Sequence, residues 1–375
     1  MRFDIKSMFN RLIIYLKNFD WILFTPVVLL VCFGLAEIYS VALGRSQLDL
    51  LNFKKQIVFI ILGIILLFLL AAFDYHSLRS YSKYFYMLGL ILLVGVLIFG
   101  QTVRGAKAWY ALAGLNLQPV EFVKFILILF LAKYFSSVSL KAKELKHLVI
   151  SGGGAAIFIL LVLAQPDFGS AFVLFLLWLT MVALVGFDKK YFIIIFLAIA
   201  VTFAGSWYFI FRDYQKQRIN TFLNPSFNAL AQGYNISQAI IAVGAGRWVG
   251  RGIGFGSQSQ LKFLPEAQTD FIFAVVAEEL GFTGVLLVLL FFGIFFYRAL
   301  YYLKRINNDF GIFFILGSVS LIFTEMFINI GMNLGILPVI GISLPFLSYG
   351  GSGLISSLML VGVMENIIIK SKINY

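Results

Sequence analysis

The chain has 375 residues, of which 61% are hydrophobic and only 12% are charged, and its mean hydropathy is +0.97. Soluble globular proteins are roughly 45–50% apolar and about 25% charged, so this composition excludes a soluble domain and indicates a polytopic membrane protein. The net charge of +12 calls for no nucleic-acid partner, because membrane proteins carry excess Lys and Arg in their cytoplasmic segments. The single cysteine, Cys32, excludes a disulfide within the chain.

Apolar runs along the chain predict the architecture, because about 20 apolar residues cross the roughly 30 Å hydrocarbon core of a bilayer. They lie near 21–42, 56–73, 82–100, 119–136, 148–165, 168–186, 190–210, 271–297, 311–332 and 352–369. We therefore expect an all-α polytopic membrane protein with about ten transmembrane helices, folded as a single domain over residues 1–375. A long loop at about 211–270 separates the seventh and eighth spans.

The positions of Lys and Arg predict the orientation. If the N-terminus is cytoplasmic, the inner segments hold most of the 29 basic residues, and the short outer loops hold few. Short cytoplasmic loops carry this excess in membrane proteins. We therefore expect both termini in the cytoplasm and the long loop on the outer side.

The long outer loop is net positive, which suits an anionic ligand. Its cations are Arg212, Lys216, Arg218, Arg247, Arg251 and Lys262, and its carboxylates are Asp213, Glu266 and Asp270. The segments NISQAIIAVGAG and SQSQLKFL, the second including Gln258, mix apolar and polar residues. We expect interfacial or re-entrant helices here, and irregular backbone at membrane depth implies a cleft.

Ionisable residues inside predicted spans are functional candidates, because an unpaired charge in the bilayer is costly. Glu121 and Lys124 stand three residues apart, so they share a helical face and can form an ion pair. The pair either locks two helices together or lines a cleft near the outer surface. Further candidates are Asp167, Glu278, Glu279 and Glu325.

Two aspartates lie at predicted outer helix starts. Asp167 follows Pro166 at a tight turn, where capping of the next helix explains it. Asp270 begins the eighth span with no Lys or Arg beside it in sequence. Helix capping and general-base chemistry explain Asp270 equally well at this stage.

The run GAGRWVGRGIGFG resembles a nucleotide-binding loop only in its glycines. It lacks the strand–turn–helix context and a following GK[ST], so we expect no nucleotide, and no haem or flavin either. Its backbone amides and Arg251 are instead candidates for holding a phosphate. Both histidines fall in predicted inner loops, so chemistry on the outer side must use carboxylates, Lys, Arg or a divalent cation.

The segment 329–353, NIGMNLGILPVIGISLPFLSYGGSG, contains no charged residue, and Pro and Gly interrupt it repeatedly. We interpret it as a re-entrant loop that lines a cavity, in which the turn Ser348-Tyr349-Gly350-Gly351 exposes polar backbone near the outer surface. A plain connector between two spans is the alternative.

Six sequence blocks now identify a family, and they occur in the family's order. They are RGAKAW at 104–109, QPVEFVK at 118–124, QPDFGSA at 165–171, Arg218 with GYNISQAIIAVGAG at 233–246, LPEAQTDFIFAVVAEELG at 264–281, and residues 329–353. The chain resembles the SEDS proteins (shape, elongation, division and sporulation), which are the RodA/FtsW-type peptidoglycan glycosyltransferases. The resemblance spans almost the whole chain.

The resemblance implies polymerisation of lipid II into glycan strands at the outer face of the bacterial cytoplasmic membrane. Asp270 matches the family's essential aspartate, the general base. Residues implied to bind substrate or support the site are Glu121, Lys124, Glu266, Lys262, Arg218, Trp109, Lys107, Gln258 and Ser348. The implied cofactor is a divalent cation, Mg²⁺ or Mn²⁺. The implied partners are a class B penicillin-binding transpeptidase and other elongation or division machinery, and GSQSQLKFLPE with Ala277 favours the elongation branch.

The sequence departs from the family pattern at a few positions. Val120 stands where Ser is usual, Ala108 where Arg is usual, Ser343 where Pro is usual, and Gln268 where His is common. None of these changes removes the implied base. The Ala108 change leaves Lys107 as the nearest replacement cation at the outer mouth of the third span.

Two other functions compete with the transferase. A flippase for lipid II or another polyisoprenoid carrier would use buried Glu121, Lys124 and Glu325 along a translocation path. It would need polar residues that reach both faces, whereas the polar, Gly-rich material concentrates on the outer side. A scaffold that only recruits the transpeptidase would not need Asp270.

Overall fold

The computed structural model describes residues 15, 17–44, 50–103, 105–112, 115–138, 144–209, 216 and 232–373. Within them, ten helices have 18 residues or more, and each coincides with one of the predicted spans. They are α1 (Trp21–Leu43), α2 (Leu51–Ala72), α3 (Tyr75–Phe99), α4 (Pro119–Ser137), α5 (Leu145–Ala164), α6 (Phe168–Val185), α7 (Lys189–Phe209), α10 (Ile272–Tyr302), α11 (Asp309–Asn333) and α12 (Gly351–Ile373).

By length and composition alone, eight of these ten helices could cross a membrane. The remaining two are α4 and α7. Helix α4 carries Glu121, Lys124 and Lys133 within 13 residues, and α7 begins with Lys189 and Lys190. The length and apolar composition of the eight helices confirm a multi-pass, predominantly helical membrane protein.

A small sheet between α3 and α4 was not predicted. Strands β1 (Gln101–Val103), β2 (Ala106–Leu112) and β3 (Leu115–Leu117) form an antiparallel meander in the order β1-β2-β3. Gly105 has a φ of 85° directly before β2, a conformation that glycine adopts readily at a tight hairpin turn. The Tyr110 hydroxyl donates to the Leu92 carbonyl over 3.0 Å, which ties the sheet to α3.

The long outer loop contains helices of its own, as expected. Helix α8 (Gln232–Gly246) has buried residues on one side and packs against α10, and the short helix α9 (Ser257–Gln260) follows it. This part of the loop therefore folds onto the helical bundle. Residues 334–350, between α11 and α12, contain no helix or strand.

Helix α12 is the centre of the bundle. In its most apolar 18-residue window, 83% of the residues are buried, compared with 22–50% in the other seven apolar helices. It packs most extensively against α2. Gly362 on α12 lies so close to α2 that an added Cβ would meet the Leu67 carbonyl oxygen at 2.5 Å. Small residues permit such close helix packing in membranes.

An ionic cluster joins α1, α10 and α12 at their predicted cytoplasmic ends. The Asp20 carboxylate accepts from Arg298 Nε at 2.9 Å and Nη2 at 2.8 Å, from Lys372 Nζ at 3.2 Å, and from the Tyr302 hydroxyl. Burial by itself raises the pKa of the Asp20 carboxyl, but the bonds from Arg298 and Tyr302 and the charge of Lys372 lower that pKa from 3.8 to about 2. Asp20 therefore stays ionised throughout the physiological pH range.

Replacing Asp20 with Asn should lower the thermal unfolding temperature of the purified protein by the same amount at pH 5 and pH 8. A depressed carboxyl pKa contributes stability that is complete above about 3.8 and is lost only as the pH falls through about 2. Removing one partner of a buried ion pair costs about 3–5 kcal/mol. Asp188→Asn is the matched control, because its pair with Lys190 is exposed and such pairs contribute about 0–1 kcal/mol. A destabilisation by Asp20→Asn at pH 8 alone would contradict the assignment.

Candidate active site

Asp270 lies directly before α10, at the predicted outer end of the bundle. The helix begins at Ile272, and Phe271, which occupies the N-cap position, makes no capping hydrogen bond with its side chain. The roles of Asp270 as a helix cap or a general base both stay predictions. Residues 271–279 behind it are buried, whereas Asp270 itself is partly exposed, so its carboxylate stands at the boundary between the protein core and the outer side.

Two asparagines of α11 hold the main chain of Asp270. The side-chain amides of Asn329 and Asn333 each donate to the Asp270 carbonyl over 3.0 Å. Asn329 also donates to the Ile342 carbonyl at 2.7 Å, and Asn333 accepts from the Ala274 amide at 3.1 Å. Sequence reasoning did not name these residues, although two asparagines four apart at the end of an apolar helix are a signal of buried polar contacts.

The uncharged segment 334–350 packs beside the Asp270 turn. Ser348 Oγ donates to the Thr269 carbonyl over 2.7 Å, and the Tyr349 amide donates to the Gln268 carbonyl over 2.7 Å. A Cβ added at Gly341 would lie 3.7 Å from Asp270 Oδ2. Ser348 is buried, and its hydroxyl also accepts from the Leu344 amide. Ser348 therefore supports the turn that carries Asp270.

A buried charged cluster lies deeper in the same region. Lys124 Nζ is 2.7 Å from Glu121 Oε1 and 2.6 Å from Glu325 Oε1, and the lysine side chain is only 3% exposed. The predicted pair between Glu121 and Lys124 is confirmed, and Glu325 of α11 adds a second carboxylate. The cluster locks α4 to α11.

One face of α11 connects this cluster to Asp270. Glu325, Asn329 and Asn333 recur every four residues, a spacing that places them in a row on one side of a helix. Glu325 is four residues from Asn329, which is about 6 Å along the axis. A polar cavity of about 10 Å³, the size of roughly one water, adjoins Glu121, Glu325, Ser343 and Ser348. The uncharged segment therefore borders a small cavity, and its re-entrant course stays a prediction.

Glu278 and Glu279, both fully buried in α10, organise the Gly-rich part of the outer loop. Glu278 accepts from the amides of Gln258 at 2.8 Å and Ser259 at 3.1 Å. Glu279 accepts from Ser40 Oγ at 2.5 Å, the Gly254 amide at 3.0 Å and Ser259 Oγ at 3.1 Å. These contacts hold the Gly-rich part of the loop against α10, which is a structural role.

Helix α10 is interrupted at Gly281, and the loop fills the interruption. Gly281 has φ 67° and ψ −162°. The amides of Arg251 and Gly252 donate to the carbonyls of Glu278 and Glu279 at 3.0 and 2.8 Å, and the Phe282 amide donates to the Arg247 carbonyl at 2.9 Å. Side chains would block this approach, because a Cβ on Gly281 would lie 2.3 Å from the Gly250 nitrogen.

These bonds correct one expectation for the Gly-rich run. The amides of Gly250, Arg251 and Gly252 donate to carbonyls of Gly246, Glu278 and Glu279, so they are not available to a phosphate. An open cleft of about 550 Å³ lies along 244–251. Any phosphate held there would depend on the guanidinium groups of Arg247 and Arg251.

Three residues of the long outer loop and one residue of the segment 334–350 adopt an unusual backbone conformation. Arg247, Lys262, Glu266 and Phe346 all have positive φ, which costs a non-glycine residue about 1–2 kcal/mol. Such conformations concentrate at functional sites. Lys262 and Glu266 are exposed, and Glu266 accepts from Thr269 Oγ1 at 3.1 Å, so it lies at the Asp270 turn.

The remaining predicted site residues occupy separate positions. Lys107 and Trp109 are in β2, where Lys107 Nζ donates to the Ile98 carbonyl over 3.0 Å. Gln258 contributes its backbone amide to Glu278, and its side-chain Oε1 is buried without a hydrogen-bond partner. Arg218 lies outside the described residues. The cap predicted at Asp167 is confirmed, because its carboxylate accepts from the Ser170 amide at 3.0 Å.

The described residues do not fit a metal site built by the protein alone. No group of three or more His, Cys, Asp or Glu side chains converges in the part of the chain that the structure describes. Mg²⁺ binds commonly through one or two carboxylates together with substrate phosphates. A cation used here would therefore need most of its ligands from the substrate.

Comparison with known proteins gives the family. The FtsW/RodA/SpoVE model, which describes cell cycle proteins, matches residues 20–373. The chain belongs to this family. It is 35% identical to the peptidoglycan glycosyltransferase MrdB of Escherichia coli, over 91% of this chain and 92% of that protein. It is also 35% identical to the stage V sporulation protein E of Bacillus subtilis, over 93% and 96% of the two chains.

Solved structures of the family share the fold. The rod shape determining protein RodA of Thermus thermophilus matches with a TM-score of 0.69 and 26% identity, over 95% of this chain and 98% of that one. A chain from a study of how a peptidoglycan synthase complex coordinates polymerization and crosslinking matches with a TM-score of 0.80 and 27% identity, over 94% and 98%. The SEDS resemblance and its helical membrane fold are confirmed.

Gly281→Ala should destabilise the protein and lower its activity, because the loop that packs at the interruption of α10 must move away from the new methyl group. The positive φ adds strain, about 1–2 kcal/mol for a residue with a Cβ. Gly293→Ala is the matched control on the same helix, since its added Cβ meets nothing within 4 Å and Ala favours a helix by about 1 kcal/mol over Gly. Thermal unfolding of both variants checks this, and equal unfolding temperatures would refute the close packing.

Proposed function

We propose that this protein is a peptidoglycan glycosyltransferase that polymerises lipid II into glycan strands at the outer face of the bacterial cytoplasmic membrane. The observation that carries the proposal is the placement of Asp270. Its backbone is fixed by Asn329 and Asn333, while its side chain stays partly exposed at the end of a loop that is net positive in sequence. The glycosyltransferase names of family members, MrdB and the probable FtsW enzyme of Trichlorobacter lovleyi, support it.

Asp270 acts as the general base in this proposal. The 4-hydroxyl of the acceptor sugar gives its proton to the Asp270 carboxylate while its oxygen bonds to the anomeric carbon of the donor. The bond from that carbon to the pyrophosphate oxygen breaks, and its electron pair leaves with the pyrophosphate. Because the new bond forms on the face opposite the leaving group, the configuration of the anomeric carbon inverts. A base held in place contributes about 10²–10⁴-fold to such a reaction.

The basic loop fits the charge that develops on the leaving group. A pyrophosphate must be stabilised by cations as its bond breaks. Arg247, Arg251 and Lys262 supply positive charge in the described part of the loop, and Arg218 adds a further basic residue in sequence. A polyprenyl chain needs an apolar path, and Trp248, Val249 and Phe255 expose more than 70% of their surface beside these arginines.

The same placement supports the orientation that we propose. Helix α1 runs about 30 Å from Asp20 to Ser40, which bonds to Glu279, so the Asp270 region and the ionic cluster of Asp20 lie on opposite sides of the membrane. We place Asp20, Arg298 and both termini on the cytoplasmic side, consistent with the excess of Lys and Arg there. Lipid II presents its sugars to Asp270 on the other side.

The proposed partner is a class B penicillin-binding transpeptidase, together with other elongation or division machinery. The similarity to a chain of a peptidoglycan synthase complex that coordinates polymerization and crosslinking supports such a partner. Identity does not choose the branch, because MrdB, stage V sporulation protein E and the probable FtsW of Trichlorobacter lovleyi are each 35% identical to this chain. The assignment to cell elongation stays a prediction from GSQSQLKFLPE and Ala277.

A flippase fits the structure less well. Its translocation path would use Glu121, Lys124 and Glu325, but these three side chains are closed on one another and adjoin a cavity of only about 10 Å³. A scaffold without activity gives no reason for the buried asparagines that hold Asp270. Both alternatives predict that the function of the protein in the cell does not depend on the Asp270 carboxylate.

Asp270→Asn should abolish glycan polymerisation from purified lipid II, because the amide cannot accept the proton, and we expect at least a 100-fold loss. Thermal unfolding and co-purification with the transpeptidase should stay unchanged. The control is Asp309→Asn, because Asp309 is an exposed aspartate at the start of α11. Polymer from Asp270→Asn at the wild-type rate would remove Asp270 as the base. Polymer from neither protein, with partner and divalent cation present, would favour the flippase or scaffold.

We further propose that polymerisation requires a divalent cation. The expected result is loss of polymer on addition of EDTA and its return with excess Mg²⁺ or Mn²⁺. Because the described side chains do not form a metal cage, the apparent affinity for the cation should rise with lipid II concentration. Cation binding of equal strength in the absence of lipid II, measured by calorimetry, would contradict this origin of the ligands.

A further inference from the structure

Lys124 is held by two carboxylates, although the sequence suggested one. Its ammonium group lies 2.6 Å from Glu325 and 2.7 Å from Glu121. An ammonium has three hydrogen-bond donors, and two of them are used within the protein. Lys124 is almost completely buried, so its charge pairs with the two glutamates and is not accessible to an anionic substrate.

The cluster joins three helices around the uncharged segment. Glu121 and Lys124 belong to α4 and Glu325 to α11, and Ser356 of α12 donates to the Glu121 carbonyl over 2.7 Å. A Cβ added at Gly353 of α12 would lie 3.4 Å from Glu121 Oε2 and 3.8 Å from Ser343 Oγ. The depth and direction of α11 at the outer end of the bundle therefore depend on the contact between Lys124 and Glu325.

Helix α11 transmits that position to the Asp270 turn. Asn329 and Asn333 follow Glu325 on the same helical face, and both donate to the Asp270 carbonyl. A helix is stiff over two turns, so a shift of Glu325 also moves the side-chain amides of Asn329 and Asn333. Misplacing a reacting group by about 1 Å can cost about 100-fold in rate.

We propose that Glu325 is a positioning residue for glycosyl transfer: by binding Lys124 it fixes α11, and through Asn329 and Asn333 it fixes Asp270 against the acceptor. The inference rests on the proposed function. It gives the cluster a role in the alignment of Asp270 and removes Lys124 from direct contact with the pyrophosphate. The competing role, in which Lys124 binds the pyrophosphate, would affect substrate binding.

The test compares four variants with the wild type in lipid II polymerisation, with the partner and divalent cation present. Glu325→Leu removes the acceptor for Lys124 and should lower kcat about tenfold while KM changes less than twofold. Glu325→Gln keeps an oxygen that accepts from Lys124, so it should retain most of kcat. The double variant Glu325→Leu with Lys124→Met should lose no more than Lys124→Met alone, because the two side chains act as one unit.

A second readout does not require activity. Hydrogen exchange of the backbone amides in residues 268–276 should be faster in Glu325→Leu, since the Asp270 turn loses its support, and Glu325→Gln should resemble the wild type. Glu365→Leu is the matched control: Glu365 is another buried glutamate of a spanning helix, but it accepts from the Asp20 amide at the opposite end of the bundle. It should leave kcat and exchange at 268–276 unchanged.

The outcomes separate the two hypotheses. Unchanged exchange at 268–276 in Glu325→Leu overturns the positioning role, whether or not the protein polymerises lipid II. A raised KM with unchanged kcat, or additive losses in the double variant, also overturns it and favours pyrophosphate binding by Lys124. An inactive wild type with faster exchange in Glu325→Leu would refute the proposed function and leave the link between Glu325 and the Asp270 turn intact.

Discussion

The cost of burying carboxylates governs the outer half of this protein. An ionised carboxyl removed from water must be paired or must accept several hydrogen bonds. Glu278 and Glu279 meet this requirement with amides and hydroxyls of the Gly-rich loop, and Glu121 and Glu325 meet it with Lys124. Because the partners come from different segments, satisfying these four groups folds the loop onto α10 and fixes α4 against α11.

Glycine makes the first of these arrangements possible. The loop approaches α10 through backbone alone, so that a Cβ on Gly246 would lie 1.7 Å from the Ala277 carbonyl oxygen. The interruption at Gly281 leaves carbonyls without helical partners, and the loop amides supply them. The Gly-rich run that resembled a nucleotide-binding loop in its glycines is therefore used to complete the hydrogen bonding of a broken helix.

The sequence predicts features that depend on local spacing or on apolar length. The ten long helices follow from runs of about 20 apolar residues, the bond between Lys124 and Glu121 from their spacing of three, and the cap at Asp167 from its position after Pro166. Features that need tertiary contacts were not predictable: Glu325 is 201 residues from Lys124, and Asn329 is 59 from Asp270. The sheet at 101–117 was missed because its strands are short and lie between two long apolar helices.

The site combines a fixed backbone with an accessible side chain, and this combination suits a base that must meet a large amphiphile. The asparagines, Ser348 and Tyr349 determine where the backbone of residues 268–270 lies. Their contacts with residues 268–270 are all to main-chain carbonyls, so they do not use the Asp270 carboxylate. A carboxylate whose position is set by its own backbone loses little freedom when the acceptor hydroxyl arrives, and preorganisation of this kind lowers the barrier because no reorganisation is needed in the transition state.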